Sequence, residues 1–127
     1  MKKNRVLIVE DEQIIAFDLR MTLKLEGFDV LALASNADDA VEIALREKPD
    51  IILMDIQLDG EKTGIDAAEE ILSQYNVPIL FQSGNHDIFQ ENAISELPQC
   101  SLIIKPISDK KLLKMINSII ENHKVID

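Results

Sequence analysis

Four short apolar runs of this chain each end on a residue able to do chemistry. Val6 to Val9 is followed by Glu10-Asp11-Glu12, Ile51 to Met54 by Asp55, Ile79 to Phe81 by Ser83-Gly84 one residue on, and Ser101 to Ile104 by Lys105-Pro106. If the runs are neighbouring strands, two or three carboxylates converge, and like charges raise one another's pKa unless a cation sits among them. Oxygen-only ligands favour a hard ion, and a few carboxylates completed by water suit Mg²⁺ better than a dedicated Ca²⁺ cage. A lysine and a hydroxyl facing such a cluster make a site for a transferable phosphoryl group rather than a resting metal store. Asp55 is then the nucleophile that forms an acyl phosphate. Mg²⁺ and the Lys105 ammonium neutralise the phosphoryl oxygens, and Ser83 donates a hydrogen bond to one of them.

These residues need a scaffold that brings the ends of distant runs together. The runs, with Phe28 to Leu33 as the second in chain order, are mostly continuous rather than alternating, as in parallel strands buried on both faces. Helical spacing fills the gaps. Ile15, Leu19 and Leu23 recur at i+4, as do Phe17, Met21 and Leu25, predicting a first helix near 12–26 that stops at Gly27. Its polar stripe, Gln13, Arg20 and Lys24, is narrow, so the helix is expected to lie deeply packed between neighbours. A second helix opens at Ser35-Asn36 and ends before Pro49. A third spans about 65–74. A fourth spans about 87–97, with Asp87 and Gln90 spaced as a capping box. A fifth, with Leu112, Ile116, Ile119 and Ile120 on one face, ends near Asn122. Five βα repeats predict an α/β fold, a single doubly wound sheet with right-handed crossovers, in which ligands bind beyond the carboxyl ends of the strands.

Composition narrows the functional classes. The chain has 127 residues, 46% of them hydrophobic and 28% charged, with only four Gly and four Pro, which excludes collagen-like and disordered chains. One domain, 1–127, is expected, with no room for a second such as a DNA-reading helix-turn-helix. Thirteen Lys and Arg against twenty-three Asp and Glu give a net charge of −10, which disfavours direct binding to nucleic acid or anionic lipid. No apolar run approaches the length of a membrane span, and the basic start at Met1-Lys2-Lys3 leads into a strand rather than a signal peptide. A single cysteine, Cys100, excludes an internal disulfide or a cysteine-rich zinc site and suits the cytoplasm.

Through Val9-Glu10-Asp11, Met54-Asp55, Ser83-Gly84 and Lys105-Pro106, in that order and over nearly the whole chain, the sequence resembles the receiver domain of two-component response regulators. The resemblance implies a flavodoxin-like receiver fold, a five-stranded parallel sheet in order 2-1-3-4-5. It implies that Asp55 accepts the phosphoryl group from a phosphohistidine on a sensor histidine kinase or phosphotransfer protein. Asp11, Asp55 and the backbone carbonyl of Gln57 would hold Mg²⁺, with Glu10 assisting through water. It also implies a cis Lys105-Pro106 bond. Output is expected through helix four, strand five and helix five, by association with a partner or a second copy as a homodimer. Ile88, Phe89, Ala93, Ile94 and Leu97 exceed what one core-facing stripe of a short helix requires.

Three departures from the family pattern stand out. Asp59 occupies the position of a common proline, Gly64 comes one residue later than usual, and Leu102 replaces the Tyr or Phe that reorients on phosphorylation in many relatives. The loop after strand three is therefore expected to be reshaped. Asp59-Gly60 and Thr63-Gly64 read as turns. His86 reads as an exposed structural residue, His123 as tail, and Cys100 as a small buried hydrophobe. A phosphohydrolase of the haloacid-dehalogenase kind needs a second Asp at position 57, where Gln57 stands. A flavodoxin-like redox carrier needs a Ser, Thr and Gly-rich phosphate loop where Glu10-Asp11-Glu12 would repel it. The remaining alternative is a receiver-like interaction module that is never phosphorylated. The expected role is that of a phosphoryl acceptor rather than an enzyme.

Overall fold

A computed structural model describes residues 3–85 and 87–126. Five strands alternate with five helices: β1 (Arg5–Val9), α1 (Gln13–Leu25), β2 (Asp29–Val30), α2 (Ala37–Glu47), β3 (Ile51–Asp55), α3 (Gly64–Leu72), β4 (Ile79–Ser83), α4 (Ile88–Ser95), β5 (Cys100–Ile104) and α5 (Asp109–Ile126). The strands form one parallel sheet in the order β2-β1-β3-β4-β5. This is the doubly wound, flavodoxin-like architecture that the sequence predicts.

The continuous apolar runs follow from burial on both faces. Side chains alternate across a strand, so Leu7, Val9, Ile52, Met54, Ile79 and Phe81 pack against α2, α3 and α4. Val6, Ile8, Ile51, Leu53 and Leu80 face α1 and α5, meeting Leu23, Leu112, Ile116 and Ile120. Both layers need apolar residues, so no polar alternation survives in the central strands. Small residues let α2 and α3 lie close to the sheet: Ala37, Ala40, Ala44, Ala67 and Ala68 are all buried.

Helix ends carry their own chemistry. Asn36 caps α2 by accepting from the Asp39 N–H at 2.8 Å. Lys48 closes that helix in the left-handed region at φ 49°, as the following Pro49 disfavours further helix. Gly27, at φ 94°, terminates α1 as its sequence position predicts. The reciprocal capping box sits at Thr63 and Asp66, where the sequence suggested only a turn. At Asp87 the side chain accepts from the Phe89 and Gln90 amides.

Several boundaries differ from the sequence reading. β2 is two residues rather than six: after the Leu31 N–H bonds the Val6 carbonyl at 2.9 Å, the chain next bridges β1 at the isolated Val9–Ala34 pair. α5 continues past Asn122 to Ile126, so His123 is a partly buried helical residue rather than tail. Cys100 is only partly buried, although that burial pushes its thiol pKa up to about 12. His86 lies outside the described residues. The largest correction concerns α1, which is not packed between neighbours. Its core face is Ala16 and Leu23, with Leu19 partly buried beside them. On the opposite side Ile14 (85% exposed), Phe17, Met21 and Leu25 (80% exposed) form an outward apolar stripe. Periodicity counts apolar residues around a helix but does not say how many neighbours the fold provides.

The two faces of α1 set up a stability contrast. Leu23→Ala, which empties a fully buried position, is expected to cost about 2–5 kcal/mol, while Leu25→Ala should stay within about 0.5 kcal/mol. Equal losses in urea unfolding would contradict this assignment of faces.

Candidate phosphoryl-acceptor and metal site

The parallel register brings the four sequence positions to one edge. Val9 lies beside Met54, so the next residues, Glu10 and Asp55, emerge side by side. Asp55 in turn pairs with Gln82 on β4, and Ser83 pairs with Ile104 on β5. The Lys105 N–H donates to the Ser83 carbonyl at 2.7 Å, fixing the backbone from which the lysine side chain departs. Neighbouring strands are about 4.8 Å apart, so a side chain on β5 must span the width of β4 to reach β3. Lysine is long enough.

The carboxylates of Glu10, Asp11 and Asp55 converge, with one oxygen of each lying within 4.8 Å of the others. Lys105 Nζ stands 3.4 Å from Glu10 Oε1 and 3.8 Å from Asp55 Oδ2. Glu10 is 5% exposed, and its Oε2 accepts from the Glu12 N–H at 3.2 Å. Burial first, then the hydrogen bond and charge of Asp55, raise its pKa from 4.5 to about 7, against the opposing pull of the Glu12 amide and Lys105.

Ser83 is buried, but its hydroxyl donates to the Asn85 carbonyl at 2.7 Å rather than toward Asp55. The Asn85 N–H returns a bond to Ser83 Oγ at 3.2 Å. Asn85 escaped the sequence reading because its contribution is a backbone carbonyl, which its side-chain type does not advertise. Gln57 is exposed in the bend after Asp55. In the loop beyond, Asp59 donates its N–H to the Ser35 carbonyl at 3.3 Å and forms an isolated bridge with Asn36. A proline could not make that bond. The Lys105–Pro106 peptide bond is cis.

The response regulator receiver domain model matches residues 6–117. The chain belongs to that family. A signal receiver domain of a modulated diguanylate cyclase from Desulfovibrio desulfuricans is 31% identical, with a TM-score of 0.90, covering 99% of this chain and 100% of that one. Two further structures share the fold. A CheY-like receiver domain protein from Methanospirillum hungatei has TM-score 0.92 at 20% identity, covering 99% and 100% of the two chains. The N-terminal domain of a response regulator/sensory box/GGDEF three-domain protein from Carboxydothermus hydrogenoformans has TM-score 0.86 at 23%, covering 96% and 98%. No helix among the described residues is long and apolar enough to cross a membrane.

The raised pKa of Glu10 has a pH consequence with a definite sign. In the metal-free receiver the folded state holds this proton more tightly than the unfolded state. The resulting stabilisation is complete below about pH 4.5 and is lost as pH rises through about 7. Urea unfolding in chelator should show that decline, and Glu10→Gln should remove it. An unchanged slope in the variant would contradict it.

Proposed function

We propose that this receiver accepts a phosphoryl group on Asp55 from a phosphohistidine donor, in a Mg²⁺-dependent reaction, and passes the signal on through altered contacts. The observation that carries the reading is the meeting of Glu10, Asp11 and Asp55 with Lys105 at the carboxyl edge of the sheet. The donor set fits Mg²⁺: the side chains are all hard oxygen ligands, and the crowded carboxylates need a divalent charge among them. Asp11, Asp55 and the Gln57 carbonyl would hold the ion, with Glu10 bound through water. When bound, it supplies positive charge to the phosphoryl oxygens.

Asp55 Oδ attacks phosphorus, forming a P–O bond as the donor's P–N bond breaks, and the departing imidazole nitrogen takes up a proton. Lys105, already between Glu10 and Asp55, swings its ammonium onto a phosphoryl oxygen. Ser83 exchanges the Asn85 carbonyl for another such oxygen. That exchange releases a bond in the loop leading to α4, which connects acceptance to a conformational response.

Two surfaces suit the partners. The outward stripe of α1 begins just after Asp11 and is flanked by Arg20 and Lys24, so it offers a donor protein an apolar, positively edged approach to the mouth. On the other side Ile88, Phe89 and Ile104 are exposed along α4 and β5, in keeping with output to a partner or to a second copy. The acceptor role is non-enzymatic, and the unit acts as one domain over 1–127.

Phosphoramidate plus Mg²⁺, read by intact mass, should add one phosphoryl group to the wild type and none to Asp55→Ala. An unmodified wild type would favour the pure interaction module. Asp11→Ala is expected to weaken Mg²⁺ binding by about tenfold or more, because a hard ligand is lost. An unaltered titration would remove Asp11 from the site. Lys105→Ala should keep the fold and the metal affinity but blunt the changes in amide exchange at α4 and β5 that follow phosphorylation. A normal response would leave Lys105 a surface charge.

A further inference from the structure

Gly64 opens α3, and its backbone lies flush against the residue proposed to carry the phosphoryl group. A Cβ at this position would fall 2.1 Å from the Asp55 carbonyl oxygen, 3.1 Å from its carbonyl carbon and 2.8 Å from Cγ of Met54. The oxygen belongs to the backbone, so no rotamer change can relieve that overlap. The Gly64 N–H also donates to the Ile56 carbonyl at 2.8 Å. Gly60, in the same loop, differs: a Cβ there would meet nothing within 4 Å, and its φ of 93° is what calls for glycine. Gly64 is needed for space, Gly60 for conformation.

Any added atom must move either α3 or Asp55. α3 has little freedom, since Ala67, Ala68 and Ile71 are fully buried and the Thr63–Asp66 capping box secures its first turn. Asp55 has more, being the last residue of β3 with the chain bending away at Ile56 and Gln57. We propose that Gly64 is a positioning residue for Asp55: its bare backbone is the stop against which the end of β3 rests, setting the carboxylate relative to Asp11 and Lys105. The inference rests on Asp55 being the phosphoryl acceptor.

The test compares wild type, Gly64→Ala and Thr63→Ala for the rate of phosphorylation by phosphoramidate, for Mg²⁺ affinity and for stability. Thr63→Ala loosens the same helix start without adding an atom against Asp55. Gly64→Ala is expected to slow phosphorylation by about tenfold to a hundredfold, the scale of a 1 Å misplacement, and to weaken Mg²⁺ binding. Thr63→Ala, though less stable, should remain within about twofold of wild type on both measures. Folded Gly64→Ala that matches wild type, or two variants that lose activity in proportion to stability, would overturn the proposal. Should Gly64→Ala not fold, wild-type amide shifts on adding Mg²⁺ and beryllofluoride decide. The Gly64 amide should move with that of Ile56 while Ala67 stays, and an unmoved Gly64 amide overturns the inference. A wild type that takes no phosphoryl group fails the functional reading instead.

Discussion

Three carboxylates share a space less than 5 Å across with a single ammonium, and much of the structure serves to hold them there. At an effective dielectric constant of about 20, two charges at that separation repel by about 3.5 kcal/mol. With every acid ionised, the cluster and Lys105 together carry two excess negative charges. Burial first, then the hydrogen bond and charge of Asp55, raise the Glu10 pKa to about 7, so a proton on Glu10 also eases the crowding. The divalent cation proposed for the site would relieve it by charge instead, in competition with that proton. Neither would matter if the acids could move apart. The parallel register of β1 and β3, sealed by apolar layers on both faces, prevents it.

Phosphorylation of Asp55, the proposed function, would change the same balance in the opposite direction. Converting the singly charged Asp55 carboxylate into an acyl phosphate dianion adds negative charge where the site is already crowded. The ammonium that spans Glu10 and Asp55 is the movable countercharge among these four side chains, and it stands on β5, two strands away from its target. Charge added at the end of β3 therefore pulls on the end of β5. The Ser83–Asn85 bond ties the loop before α4 to the same edge. Leu102 is partly buried against the core, and these polar links are the connections visible here between the site and that edge of the sheet.

How much of this was legible in the chain depended on the kind of constraint. The sheet was readable because burial on both faces leaves continuous apolar runs, and the site because its acids and lysine follow those runs directly. β2 was overestimated because an edge strand with apolar residues reads like a central one. The packing of α1 was misjudged because Ile14, Phe17, Met21 and Leu25 have the same types and spacing as core residues, and only the fold shows that no element covers them. The Thr63–Asp66 cap was taken for a turn because Asp66 replaces the commoner Glu or Gln at its third helical position.

Contacts made by backbone atoms were the least legible of all. The Asn85 carbonyl, the Asp59 amide and the space beside Gly64 leave no mark in residue chemistry, yet each touches a segment that joins the site to a helix. Glycine is the extreme case, since its contribution is an absent atom. At Gly64 that absence lets α3 abut the end of β3, so the helix start and the acceptor cannot move independently. On the proposed function, any displacement of Asp55 on phosphorylation would reach α3 through that contact and β5 through Lys105. Beside the Ser83–Asn85 bond, the sheet edge thus has two further mechanical links, one made by a missing side chain and the other by a long charged one.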